Sequence, residues 1–231
     1  MAGTSFDIAV IGGGIAGLTA AHHAALAGAS VAHFIEDGLP GGLVMNVGAL
    51  DGWPAAGRVG GAELAAGLLG QNQELGVSLV PSRIDRIEGS AVKVLTGPDG
   101  VWRARQVIVA TGAVLKTLDV PGADRLAGRG VSQCAWCDGG LYRGAEVVVA
   151  GGGDAALSEA LHLGQFASAV TIVTRGDMFR ARRRYVTRIA EDERFRLRWA
   201  SDIVEVVGEE GVEAVRIRDR ESGGEETVAC K

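Results

Sequence analysis

Cys134-Ala135-Trp136-Cys137-Asp138-Gly139 is the stretch of this 231-residue chain whose residue types could do chemistry on their own. Two thiols two residues apart can close a small disulfide loop, and a helix N-terminus beside them would lower a thiol pKa. The adjoining carboxylate, Asp138, could give or take the proton that thiol–disulfide exchange requires. Cys134, Cys137 and Asp138 are therefore the candidate catalytic residues. Half of a zinc site is the competing use of such a pair, but no second C-x-x-C and no suitably spaced His pair completes it. No metal is expected. A pair of inert buried cysteines stays open on these residues alone, and Cys230 has no partner visible in sequence.

Two glycine turns flank that pair. Gly12-x-Gly14-x-x-Gly17 follows the apolar run Phe6 to Ile11 and opens the Ala- and Leu-rich stretch Ile15 to Ala27. In such a turn the first glycine permits the bend, the second lets backbone approach a pyrophosphate, and the third lets helix pack on strand. The helix N-terminus then offers unpaired N–H groups and the positive end of its dipole. Glu36 lies 36 − 12 = 24 residues on, at the end of the second strand, where a carboxylate would accept from ribose hydroxyls. Gly151-x-Gly153-x-x-Ala156 repeats the pattern after Glu146 to Ala150, at an offset of 151 − 12 = 139 residues. Its second strand ends on Thr174-Arg175-Gly176 instead of an acid. Arg175 is placed to pair with a 2′-phosphate, with Arg180 and Arg182 to Arg184 just beyond, which favours NADPH over NADH. For Arg182 to Arg184 a solvated basic helix face is the alternative.

The elements that must position these groups read as follows. Strands are expected at Phe6 to Ile11, Val31 to Ile35, Val77 to Pro81, Val101 to Ala110, Glu146 to Ala150 and Ala169 to Val173, with a hairpin about Gly89-Ser90. Helices are expected at Ile15 to Ala27, Ala62 to Leu75 and Ala155 to Phe166. Gly38 to Gly60 reads as irregular, and Ala113 to Gly122 as a linker. The fold class is α/β: two Rossmann-like dinucleotide-binding units, residues 1–115 and 116–231, with the C-x-x-C in the second.

Composition sets the outer bounds. With 47% hydrophobic and 22% charged residues the chain is an ordinary folded globule. The balance of 23 − 28 = −5 gives no general attraction to nucleic acid or to anionic membranes. Ile8 to Val31 is broken by glycines and by His22 and His23, so neither a signal peptide nor a spanning helix is expected. Three cysteines cannot build a disulfide framework. A reducing compartment, the cytoplasm, is the expected setting.

Over essentially the whole chain these motifs resemble the low-molecular-weight thioredoxin reductases. Gly12-Gly13-Gly14-Ile15-Ala16-Gly17 is similar to their FAD turn, Gly41-Gly42 with Trp53-Pro54 to their flavin-side loop, and Ala110-Thr111-Gly112 to their strand-ending motif. Gly151-Gly152-Gly153-Asp154-Ala155-Ala156 resembles their NADPH turn, and Phe179-Arg180-Ala181 the close of their H-R-R-x-x-F-R-A segment. Cys134 to Gly139 resembles their redox-active C-A-T-C-D-G, with Trp136 in place of Thr.

The resemblance implies FAD at residues 1–115, NADPH at 116–231, and electrons passing from NADPH through FAD to the Cys134–Cys137 disulfide. From there they would reach thioredoxin, a related dithiol protein or a small dithiol. It further implies that Cys137 lies nearer the flavin, that Cys134 attacks the partner, and that Asp138 is the acid–base residue. Domains rotating about hinges, one near Ala113 to Gly122, and a homodimer are also expected.

Three departures stand out. Thr174-Arg175-Gly176 replaces H-R-R, Leu43 replaces the glutamine after the flavin-side glycines, and the family's later strand and Gly-Asp return to the FAD domain have no counterpart before Lys231. The last leaves three readings: a piece of a longer protein, a contribution from another chain, or weakened FAD binding. The alternative function is a relative that binds nucleotide or a partner chain without turnover.

Overall fold

Short apolar runs that stop at glycine become the strands of separate sheets. The computed structural model describes residues 5–36, 38–50 and 59–231, and Trp53-Pro54 of the expected flavin-side loop lies outside the described residues. The chain divides into two units, Met1–Val114 and Leu115–Lys231.

In the first unit β1 (Ser5–Ile11) leads into α1 (Ile15–Leu26) and then β2 (Val31–Phe34); α2 (Gly61–Glu74) leads into β3 (Ser78–Val80). β4 (Arg86–Glu88), β5 (Lys93–Gly97) and β6 (Gly100–Val109) complete a six-stranded sheet of order β3-β2-β1-β6-β5-β4. β1, β2, β3 and β6 run parallel, β5 pairs antiparallel with β6, and β4 pairs antiparallel with β5. Alternation along β1 explains why the sheet is covered on both faces. Val10 packs with Ala21 and Val31 on one cluster, while Ala9 and Ile11 pack with Phe34 and Leu95 on another.

The second unit opens with the short helix α3 (Ala135–Asp138). It repeats the same scheme with β7 (Glu146–Ala150), α4 (Asp154–Leu163) and β8 (Ala169–Val173). α5 (Arg183–Ala190) and β9 (Phe195–Arg198) follow, and β7-β8-β9 pair in parallel, as β1-β2-β3 do. β8 is buried along its whole length. Tyr185 and Ile189 of α5, one helical turn apart, sink into the cluster with Leu157 and Ile172, a burial worth about 1.5–3 kcal/mol for each such side chain.

β10 (Ser201–Val207), β11 (Ala214–Asp219) and β12 (Glu225–Ala229) then form an antiparallel meander around Val206, Val215 and Ile217. The hydrophobic pattern predicts no strands over residues 195–229. Arg, Glu and Asp alternate with the apolar residues there, and their cross-strand ion pairs (Arg218–Glu225 at 2.6 Å) carry a pattern that hydrophobicity alone does not reveal. α4 also stops at Leu163, short of the expected Phe166, because Gly164 ends it. A 3-10 turn at Gly42–Asn46 lies inside the stretch read as irregular. Among the described residues no helix is long and apolar enough to cross a membrane.

Cys230 is buried in the meander's cluster. Burial, and then the Glu146 carboxylate, push its thiol up to about 11 from an ordinary 9.0. A group raised in the folded state adds stability that is fully present below its unfolded pKa and is lost as pH rises toward the folded one. The unfolding midpoint of the parent should therefore fall more steeply between pH 9 and 11 than that of Cys230→Ala. Parallel curves for the two proteins would contradict this.

Candidate functional site

Cys134 and Cys137 are joined as a disulfide with Cα atoms 5.3 Å apart. The sulfur bridge closes across the first turn of α3, for which Cys134 is the N-cap. Its Sγ and its carbonyl oxygen both accept the Cys137 N–H, at 3.2 and 3.1 Å. Asp138 ends that turn and donates its own N–H to the Cys134 carbonyl at 3.2 Å. The Ser132 hydroxyl donates to Asp138 Oδ2 at 2.5 Å and accepts the Cys134 N–H at 3.0 Å. Asp138 is thus tied through its backbone and its side chain to the backbone of Cys134. Tyr142 stands close enough that burial first, and then the Asp138 charge, push its phenol up.

The redox turn rests on one face of α4. The Trp136 ring stacks on His162 with centroids 3.7 Å apart and planes 22° from parallel, and His162 meets Phe166 edge-on at 5.2 Å. A Cβ on Gly139 would touch Leu163, His162 and Phe166 at 3.3–3.6 Å. Burial holds the His162 imidazole below its ordinary value, and its Nδ1 is buried without a hydrogen-bond partner among the described residues. Glu159, one turn earlier on the same face, has its carboxyl raised by burial, against the opposing pull of the Ala135 N–H. Residues 159, 162 and 163 are spaced as one helical face, and Phe166 follows in the turn after α4. Sequence reasoning missed Ser132, Glu159 and His162. That spacing, read against the C-x-x-C, was the available signal for the last two.

In each unit the glycine turn holds both crowded and open positions. A Cβ on Gly12 (φ +116°) would sit 2.2 Å from the Ala110 carbonyl oxygen, and one on Gly17 only 1.9 Å from the Gly12 oxygen. These two hold α1 against the strands. The fully buried His33 fixes the same spot, its Nε2 donating to the Gly12 oxygen at 2.9 Å, and burial keeps its imidazole below the usual range. Gly14 differs, since its nearest neighbour to a Cβ is the Gly41 oxygen at 4.0 Å. It caps α1 without a side-chain acceptor among the described residues, so the first N–H groups of the helix have no side-chain cap. In the second unit Gly151 (φ +131°) is held close to Ala156 and Gly152 to Thr174, while Gly153 has nothing within 4 Å and caps α4 in the same bare way.

The structure brings Gly12, Gly14, Gly17, Gly41 and Gly42 together. The Gly41 N–H donates to the Gly13 oxygen at 2.7 Å, and a Cβ on Gly42 would meet the Gly14 Cα. The Thr111 backbone borders the same turn, and Gly112 follows it with open space around its Cα. Glu36 stands beyond β2 with an exposed carboxylate 3.7 Å from the Arg83 guanidinium. In the second unit the Arg180 N–H donates to the Gly152 oxygen at 2.9 Å, so the segment after β8 folds over the turn that contains Asp154 and Ala155. Arg175 follows Thr174 into solvent, with its carbonyl oxygen accepting from Arg220. Arg182 is otherwise engaged, because Asp154 accepts both its backbone N–H at 2.7 Å and its Nε at 2.9 Å. Arg184 lies over the Tyr185 ring.

Two glycine turns of the dinucleotide-binding type and a C-x-x-C disulfide occur in one chain. The chain belongs to the family described as pyridine nucleotide-disulphide oxidoreductase, which matches residues 6–230. It is 38% identical over 207 residues to the thioredoxin reductase of Bacillus subtilis, a match that covers 89% of this chain and 65% of that protein. This chain therefore spans slightly less than two thirds of that curated relative. Among solved structures it superposes on Lactococcus lactis thioredoxin reductase in the FR conformation with a TM-score of 0.92 at 32% identity, covering 97% of this chain and 75% of that one. On T. acidophilum thioredoxin reductase the TM-score is 0.90 at 27% identity, covering 98% and 75%.

The two kinds of glycine should separate experimentally. Gly12→Ala drives a Cβ into backbone at a left-handed φ, so it should lower the unfolding midpoint of the first unit sharply. Gly14→Val has room in the fold but fills the cradle, so it should keep the parent midpoint and lose dinucleotide affinity. Full FAD uptake by Gly14→Val, measured by titration, would contradict the assignment of the cradle.

Proposed function

We propose that this chain is the nucleotide- and dithiol-bearing part of a flavin-dependent disulfide reductase. It would take electrons from NADPH and deliver them through Cys134 and Cys137 to thioredoxin, a related dithiol protein or a small dithiol. The observation that carries the reading is the closed Cys134–Cys137 disulfide on α3, with Asp138 tied to it and the Gly151–Gly153 turn at the start of the helix on which it rests.

The first unit fits FAD. Gly14 leaves the space a pyrophosphate needs, bare N–H groups of α1 face it, and Glu36 offers an exposed carboxylate to a ribose. The second unit fits NADPH on the same grounds at Gly153. Arg175 and Arg180 supply guanidinium groups free of ion pairs among the described residues. Gly176 stands where the family has another arginine, so the preference for a 2′-phosphate should be weaker than in an H-R-R protein. FAD, when bound, would supply electrons two at a time.

The protein's own residues do the rest. Opening the disulfide takes two electrons and two protons and leaves two thiols. The Cys134 thiol then attacks the partner disulfide, and Cys137 resolves the mixed disulfide, which restores the Cys134–Cys137 bond and releases a reduced partner. Asp138 carries the protons between sulfurs.

Both thiols are required, because one alone can form the mixed disulfide but cannot resolve it. Cys134→Ser and Cys137→Ser should each abolish NADPH-dependent reduction of a protein disulfide in a thioredoxin-coupled assay. Normal turnover by Cys134→Ser would overturn the proposal.

A further inference from the structure

Ser132 lies outside the C-x-x-C-D motif, yet its hydroxyl joins the two ends of the redox turn. A serine hydroxyl has one proton and two lone pairs. Here one lone pair takes the Cys134 N–H at 3.0 Å, and the proton is given to Asp138 Oδ2 at 2.5 Å. The cap of α3 does not need this hydroxyl, because Cys134 Sγ itself accepts the Cys137 N–H. The bond therefore acts on Asp138 rather than on the helix. It holds one carboxylate oxygen as a committed acceptor and leaves Oδ1 as the oxygen that can exchange a proton.

We propose that Ser132 is a positioning residue for disulfide exchange at Cys134–Cys137: by fixing Asp138 Oδ2 against the Cys134 backbone, it aims Oδ1 at the reacting sulfurs. The proposal rests on the reading of Asp138 as the acid–base residue. In the step that results, an incoming thiol gives its proton to Asp138 Oδ1 as its sulfur attacks one sulfur of the disulfide. The other sulfur leaves with the bonding electron pair and takes that proton from Oδ1. The products are a mixed disulfide and one cysteine thiol, and the carboxylate is regenerated. A second thiol on the reagent repeats the step on the mixed disulfide, so that two cysteine thiols and one oxidised dithiol result.

The test needs neither flavin nor NADPH, so it stands apart from the electron route. The full chain is reduced with dithiothreitol under anaerobic conditions and quenched with iodoacetamide at intervals. Labelled Cys134 and Cys137 are then counted by peptide mass. Ser132→Ala should slow reduction by about tenfold, as loss of a hydrogen bond to a charged group implies. Ser132→Thr, which keeps the hydroxyl, should run at the parent rate. Asp138→Asn should be slower by about 10²-fold or more. On that background Ser132→Ala should cost nothing further, because its effect passes through the carboxylate.

A parent rate for Ser132→Ala, an equal tenfold loss on the Asp138→Asn background, or no rescue by threonine would each overturn the proposal. A slow Asp138→Asn beside a fast Ser132→Ala sinks only the role of Ser132. A fast Asp138→Asn removes the acid–base reading and this proposal together.

Discussion

The second unit is organised by the packing of the redox turn on α4. That helix begins at the open Gly153 of the nucleotide turn, and its far half carries the face on which Trp136 and Gly139 lie. A four-residue helix such as α3 has no stability of its own in water. It persists because the disulfide closes it and the Trp136–His162 stack anchors it. The half-buried His162 and Glu159 contribute polar groups at a site that an apolar helix face would also have filled.

Both nucleotide turns solve one geometric problem twice. A strand must hand its chain to a helix with no room for a side chain at the first position and free space at the second. At Gly12 the obstruction is the Ala110 carbonyl, whereas at Gly151 it is the Ala156 methyl. That contrast explains why the third position is glycine in the first turn and alanine in the second. A Cβ on Gly17 would strike the Gly12 oxygen, while the Ala156 methyl has its space. The first glycine is crowded and the second is open in both turns, although the motif writes them alike.

Much of this could be read from the residues. β1, α1, β2, β7, α4 and β8 fall within a few residues of their expected bounds, because buried parallel strands are short apolar runs punctuated by glycine and need no long-range information. The redox pair was equally visible, being local in sequence. The β10–β12 meander was not, since its register depends on Arg–Glu pairs between strands and on Val206 and Ile217 meeting only after the chain turns back. The support beneath the cysteines was hidden for a similar reason: His162 lies 25 residues beyond Cys137 (162 − 137 = 25) and meets the turn only in the folded unit. Arg182 read as one of a basic cluster, yet its guanidinium is taken up by Asp154, a partner that spacing could not name.

The central claim is that electrons entering at the second nucleotide turn end on Cys134 and Cys137. Anaerobic addition of one equivalent of NADPH to the FAD-loaded chain, followed by alkylation and peptide mass analysis, tests it directly. The account predicts that a new pair of alkylated cysteines appears, at Cys134 and Cys137 and not at Cys230, as the NADPH absorbance is lost. Consumption of NADPH with the Cys134–Cys137 disulfide left intact would contradict it.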